Sequence, residues 1–132
     1  MKQFMCSFFF CTIMSFCYSQ SQSDMNVKAS NNFQKADAEL NTVYKKILKE
    51  YKSDTVFIIN LKKAQQIWIQ FRNAEMNAKF PNKEPGYYGS VLPLCWNAYK
   101  QELTEERIKK LKIWLTGIKE GDACSGSVKT KN

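Results

Sequence analysis

The spacing of its apolar residues constrains this chain more than any other feature. Over residues 33–51 and 57–71, apolar side chains recur every three or four positions, which is the spacing of one face of an α-helix. The residues at this spacing are Phe33, Ala36, Leu40, Val43, Tyr44, Ile47 and Tyr51, then Phe57, Leu61, Ala64, Trp68 and Phe71. Residues 56–59 alone would also suit a strand, but the helical spacing continues beyond them. The pattern therefore predicts an all-α fold.

The second helix is predicted to cover residues 55–79. Ser53 and Asp54 precede it, and the side chain of either can accept a hydrogen bond from a free N–H group of the first turn. Pro81 ends it, because proline lacks the backbone N–H that a helix needs. The sequence thus gives this helix a clear start and a clear end.

The third helix is predicted to begin near Ser90, which could cap it, and to end at Gly117. Thr104, followed by two glutamates, resembles another helix start, so the third helix could be kinked or restart there. Short connections favour antiparallel neighbours. We therefore expect a small antiparallel three-helix domain with a possibly kinked third helix.

The N-terminus has the features of a secretory signal peptide. A single lysine, Lys2, precedes an apolar run that ends in small and polar residues. We expect cleavage after Ser19, or after Ser21, and export of the remaining chain. A lipid anchor on Cys17 is the less favoured alternative, because the bulky Phe16 precedes it. The predicted organisation is a signal peptide over 1–19, a helical domain over 20–124 and a disordered basic tail over 125–132.

Removal of the signal peptide would change the charge and the cysteine content of the chain. The chain has a formal net charge of +8, and removal of residues 1–19 leaves 19 basic and 12 acidic residues. Cys95 and Cys124 are the cysteines that then remain, and an even number in an oxidising compartment suggests one disulfide. Two free thiols are the alternative.

The chain contains no histidine, which removes the commonest general base and metal ligand. Zinc sites of the usual kinds and Ser-His-Asp or Cys-His nucleophiles are excluded. Among the carboxylates, Asp37 and Glu39 diverge on a helix, and Glu105 and Glu106 suit a helix start. We therefore predict neither an enzyme nor a cofactor nor a metal site.

Gln65, Trp68 and Arg72 form a polar row on the second helix, and Asp37 and Asn41 lie one turn apart on the first. These five residues could form a polar pocket or a buried network that fixes one helix against the other. Arginine offers a rigid fork for one carboxylate, and a buried indole needs a partner for its N–H. We favour the structural interpretation and call the five residues the clamp.

The segment PNKEPGYYGS, residues 81–90, is the one loop predicted inside the domain. Prolines and glycines exclude regular structure, and tyrosine offers a large contact area at a low entropic cost. Tyr87, Tyr88, Gly89 and Ser90 are therefore candidates for partner binding. The two tyrosines could equally fold down on the helices.

Read together, the segments 36–44, 61–73, 88–96 and 103–115 resemble the LprI-like lysozyme-inhibitor family of small bacterial secreted or lipid-anchored helical domains. The resemblance covers roughly residues 25–124. It implies that the family's motif residues are Asp37, Leu40, Asn41, Tyr44, Gln65, Trp68, Arg72, Gly89, Ser90 and Cys95. Many members carry cysteine where this chain has Lys28 and Met76, so the family's usual bridge is absent and Cys95–Cys124 is the remaining candidate.

The resemblance implies a non-catalytic envelope protein that binds and occludes a lysozyme-type muramidase, with the loop 81–90 in the enzyme's cleft. Animal lysozymes are themselves basic, and two cationic proteins repel each other at long range. The lysine-rich surface therefore favours, as an alternative, a structural or adaptor protein that binds anionic envelope polymers or lipids. Nucleic acid is not expected, because the chain has an export signal and no recognition motif.

Overall fold

The structure, a computed structural model, describes the backbone of residues 4–131 and the side chains of residues 21–131. The predicted signal peptide over 1–19 and the alternative anchor on Cys17 lie outside the described side chains, and both stay predictions. Three helices dominate the chain: α1 (Phe4–Glu50), α2 (Thr55–Lys79) and α3 (Leu92–Thr116). Over residues 4–131, the only β-type pairing is a single bridge between Ile118 and Thr130. The predicted all-α fold is confirmed.

The ends of α2 follow the predicted chemistry. Asp54 is the N-cap, and its carboxylate accepts a hydrogen bond of 2.9 Å from the backbone N–H of Phe57. The helix ends at Lys79, and the N–H of Phe80 still donates to the carbonyl of Met76 before Pro81 follows. Local capping and a proline are therefore enough to define this element.

The start of α3 differs from the prediction. A short 3₁₀ turn over Gly89–Val91 precedes the helix, and Val91 rather than Ser90 is the N-cap, without a side-chain hydrogen bond. The backbone carbonyl of Ser90 instead accepts a hydrogen bond from the Asn26 side chain on α1. The helix continues through Thr104 without restarting.

Contacts near both ends of α3 give the direction of α1 relative to it. Asn26 reaches Ser90 near the start of α3, and Tyr51 donates to the carbonyl of Trp114 near its end, so α1 and α3 point the same way. The central core lies where α1, α2 and α3 meet. Its buried members are Leu40, Val43, Ile47, Leu61, Ile108 and Leu111.

The inward face of α2 is not the most apolar face of this helix. Leu61, Gln65, Arg72 and Met76 are buried, and Trp68 packs partly buried beside the core. Phe71 and Ala64 follow the apolar spacing of the sequence, but Phe71 is 53% exposed and Ala64 is exposed as well. The polar row faces inward instead, because it finds polar partners on the other helices.

Residues 118–131 form what we call the C-terminal hook. Ile118 donates a backbone hydrogen bond to Lys129 and accepts one from Lys131, and Trp114 donates its indole N–H to Ser127 at 3.0 Å. The segment predicted to be disordered from Ser125 onward is thus hydrogen-bonded to the end of α3 in the structure. The ion pair of Lys129 with Glu50 also ties it to α1.

Gly117 allows the chain to turn from α3 into the C-terminal hook. The substitution Gly117→Ala is expected to detach the hook from the end of α3. Gly117 has φ +73° and ψ 175°, a region that is essentially restricted to glycine, and an added Cβ would lie 2.8 Å from the Lys129 carbonyl oxygen. We expect a loss of about 2 kcal/mol in hook docking. Hydrogen exchange should show loss of protection at the Ile118 and Lys131 amides.

The matched control is Gly126→Ala, since Gly126 also has a positive φ but an added Cβ there meets no atom within 4 Å. This variant should keep most of the protection at both amides. Equal hydrogen exchange in the two variants would mean that the close approach of Gly117 to the Lys129 carbonyl does not hold the hook in place.

Candidate functional site

The clamp is centred on the Arg72 guanidinium. Arg72 is 8% exposed, and its Nη1 donates to Asp37 Oδ1 at 2.9 Å and to Thr104 Oγ1 at 3.0 Å. Thr104 is fully buried, and its hydroxyl in turn donates to the carbonyl of Lys100. One side chain of α2 therefore joins α1 to α3.

Aromatic rings enclose the same guanidinium. Its Cζ lies 4.9 Å from the Trp68 ring centroid and 5.7 Å from that of Phe33, whose ring also has Lys100 Nζ at 4.6 Å. Burial, and then the charge of Arg72, lower the pKa of Lys100, while Asp37 acts in the opposite direction. Arg72 Nε is buried and has no hydrogen-bond partner among residues 21–131. Arg72 and Lys100 thus approach the same Phe33 ring, and the Asp37 carboxylate pairs with Arg72.

Gln65 takes part in a second polar contact that the sequence did not indicate. Its side chain is buried, and Oε1 accepts a hydrogen bond of 3.0 Å from Arg107 Nε on α3. The Arg107 guanidinium lies 5.8 Å from the Trp68 ring. Arg107 and Thr104 were missed because their partners lie on another helix. The available signal was their three-residue spacing on the face that also carries Leu111.

The other motif residues of α1 have separate surroundings. Leu40 is buried in the core, and Tyr44 packs partly buried against it, where burial raises the pKa of the phenol. Asn41 is exposed and donates to the carbonyl and the carboxylate of Asp37 one turn earlier. Asp37 and Asn41 therefore adjoin each other, but it is Asp37 that contacts α2.

The loop 81–90 has a packed base and an exposed tip. The Tyr88 hydroxyl donates to the Pro81 carbonyl at 2.8 Å, and its ring meets Phe80 edge-on at 6.0 Å. Tyr87 is 64% exposed and contacts the Tyr88 ring at 4.9 Å. Of the two tyrosines, one anchors the loop and the other is presented to solvent.

A cavity of about 430 Å³ lies under this loop. Phe80, Tyr87, Tyr88 and Trp96 contribute aromatic walls, and Asn77 adds an amide. Gly89 adjoins the same cavity, whereas Ser90 is exposed beyond it. Three of the four predicted partner-binding residues, Tyr87, Tyr88 and Gly89, therefore line this cavity.

The predicted Cys95–Cys124 bridge is not formed in the structure, where both residues are exposed free cysteines. Cys95 lies in the first turn of α3, and the helix then runs to Thr116, a length of roughly 30 Å. The hook keeps Cys124 near the far end. A disulfide requires the two Cα atoms to lie within about 7 Å of each other, so the pairing would need the hook to leave its place.

The arrangement offers binding surfaces and ion pairs. The carboxylates of Asp37, Glu39 and Glu50 each pair with a basic side chain. Over the described residues, no group of three or more histidine, cysteine, aspartate or glutamate side chains could hold a metal ion.

Comparison with known proteins identifies the family. The family model described as "Lysozyme inhibitor LprI" matches residues 17–111. The chain belongs to this LprI family. An uncharacterised protein of Rhizobium meliloti (strain 1021) is 31% identical over 104 residues, which covers 70% of this chain and 72% of that protein. No solved structure matches the chain.

The LprI match includes the whole clamp and the loop 81–90, whereas the C-terminal hook lies beyond it. In the part of the chain that the structure describes, none of the helices combines the length and the apolarity required to cross a bilayer.

Proposed function

We propose that this LprI-family protein is exported and binds a lysozyme-type muramidase, whose substrate cleft it blocks with the loop 81–90. The family match to a lysozyme inhibitor over residues 17–111 carries the proposal. Inhibition of this kind needs no reaction, so the absence of histidine from the chain is no obstacle. The predicted signal peptide would bring the protein to the compartment where cell-wall hydrolases act.

The loop suits occlusion because it is largely organised before binding. Its base is fixed by the Tyr88–Pro81 hydrogen bond and by the contact of Phe80 with Tyr88. A loop that is already ordered loses less conformational entropy when it binds. Tyr87 projects from this base as the aromatic anchor that would enter the cleft.

The charge of the protein restricts its partners. The exported protein would keep 19 basic and 12 acidic residues, so repulsion at long range slows its association with a basic muramidase, whereas an acidic rim around the cleft would accelerate it. We therefore infer that the target presents acidic or neutral groups beside its cleft. The association rate with an acidic target should fall as salt is added.

Tyr87→Ala is expected to raise the concentration needed for half-inhibition of the target muramidase about tenfold or more. Truncation of a central aromatic anchor commonly removes about 2 kcal/mol of binding free energy. The measurement is lysis of a cell-wall suspension by a panel of muramidases with acidic and basic surfaces, over a range of salt concentrations.

Phe71→Ala is the matched control, because Phe71 is also an exposed aromatic residue, at 53%, but lies on the outer face of α2. It should inhibit like the original protein. Absence of inhibition across the panel, or equal inhibition by Tyr87→Ala, would refute occlusion by this loop.

Exposed lysines favour a second candidate function, adhesion to anionic envelope polymers. Lys35, Lys45, Lys46 and Lys49 lie exposed along α1, and none of them forms an ion pair within residues 21–131. Binding of this kind should fade with salt and should not change in Tyr87→Ala. Isolated cell wall and anionic vesicles provide the test that separates it from inhibition.

A further inference from the structure

A second cavity, also of about 430 Å³, lies between the first half of α2 and the second half of α3. Its walls are mainly apolar and include Phe57 and Leu61 from α2 and Leu111 and Trp114 from α3. Its volume lies within the range of about 300–1,000 Å³ that is typical of small-molecule sites. The clamp and the loop 81–90 do not use this space.

Arg107 lines the cavity and has no acidic partner. Its Nε donates to Gln65, which leaves the two terminal nitrogens of the guanidinium, and no carboxylate of residues 21–131 lies within 4.0 Å of them. Burial lowers the pKa of the Arg107 guanidinium. Arginine nevertheless stays protonated in proteins, so a partly desolvated positive charge faces an apolar space.

The two charged side chains of the cavity, Arg107 and Asp54, lie at different ends, and the Asn60 amide lines it as well. Arg107 lies beside Gln65, whereas Asp54 and Ser127 line the cavity at the start of α2. Asp54 and Gln65 are eleven residues apart on α2, which corresponds to about 16 Å along the helix. An anionic group bound at Arg107 would therefore lie far from the Asp54 carboxylate.

We propose that this cavity binds a fatty acid, with the carboxylate on the terminal nitrogens of Arg107 and the alkyl chain along Phe57, Leu111 and Trp114. The planar guanidinium matches a carboxylate with two parallel hydrogen bonds. The apolar walls supply the burial that drives an alkyl chain out of water. This site is independent of muramidase inhibition, which uses another face of the molecule.

Titration of the full chain with dodecanoate tests the proposal. Calorimetry should give one molecule bound per chain below the micelle concentration, with a change in tryptophan fluorescence because Trp114 lines the cavity. Dodecyltrimethylammonium has the same alkyl chain with a cationic head, so it should bind at least tenfold more weakly. A C-terminal peptide carboxylate on an apolar residue is the competing occupant, and tighter binding of such a peptide than of dodecanoate would overturn the assignment.

Three variants separate this site from non-specific binding. Arg107→Gln should weaken dodecanoate binding about tenfold, whereas Lys109→Gln removes the same charge from an exposed position on α3 and should change it less than twofold. Ala64→Trp should fill the cavity from the exposed edge of α2 and abolish binding with helicity unchanged. Binding to Arg107→Gln and Ala64→Trp as strong as to the original chain, or many ligands per chain, would refute the proposal.

Discussion

Arg72→Ala is expected to lower the free energy of unfolding by about 3 kcal/mol, as for a buried ion pair that loses one partner. The substitution removes the hydrogen bonds to Asp37 and Thr104 and leaves a void between the rings of Trp68 and Phe33. We place the loss at the lower end of the range for such pairs because the Asp37 side chain is 37% exposed and can regain water. Urea denaturation followed by circular dichroism measures it.

Lys63→Ala provides the matched control, since it removes an exposed positive charge from the same helix. Its unfolding free energy should change by less than about 0.5 kcal/mol. If Arg72→Ala unfolds at the same urea concentration as Lys63→Ala, the clamp does not stabilise the fold. Loss of muramidase inhibition in a folded Arg72→Ala protein would instead support the alternative of a polar binding pocket.

The helices were predictable from the sequence because their signals are local. Phe57 and Leu61 repeat at helical spacing. The Asp54 carboxylate caps α2 by accepting a hydrogen bond from the N–H of Phe57, three residues later, and Gly117 ends α3 with a positive φ. Each of these features depends on residues that are close in sequence. The bounds of α2 therefore follow from the sequence alone.

The orientation of α2 could not be predicted in this way. Phe71 follows the apolar spacing of α2, yet Arg72 and Gln65 are the buried residues. Burial of these polar side chains is favourable only because Asp37, Thr104 and Arg107 satisfy them from other helices. Such compensation depends on contacts between helices, so the apolar spacing of one helix cannot predict it.

The two candidate sites differ in the same way. The loop with Tyr87 and Tyr88 was identifiable because prolines, glycines and tyrosines are concentrated within ten residues. The cavity beside Arg107 combines the start of α2, the end of α3 and the C-terminal hook. No contiguous motif encodes it, and Arg107 in the sequence resembles any other basic residue of an exposed helix.

Ile47→Ala is expected to lower the free energy of unfolding by about 3 kcal/mol, the usual loss for a large aliphatic residue truncated in a closed core. Ile47 is fully buried, with Leu40, Val43 and Leu111 in the same core cluster. The comparison is Val27→Ala, because Val27 lies on the same helix but is 57% exposed, and its truncation should cost less than about 0.5 kcal/mol.

The Ile47→Ala substitution, made in chains of two lengths, also tests how much of α1 the folded domain needs. Among the described side chains of α1, residues 21–50, the buried core residues lie at or beyond Ala29, after the predicted cleavage point at Ser19. The Ile47→Ala loss should therefore be equal, within about 0.5 kcal/mol, in the full chain and in the chain that begins at Gln20. A loss that is much smaller in the shorter chain would show that residues 1–19 hold α1 against α3. The predicted signal peptide would then be a part of the folded domain.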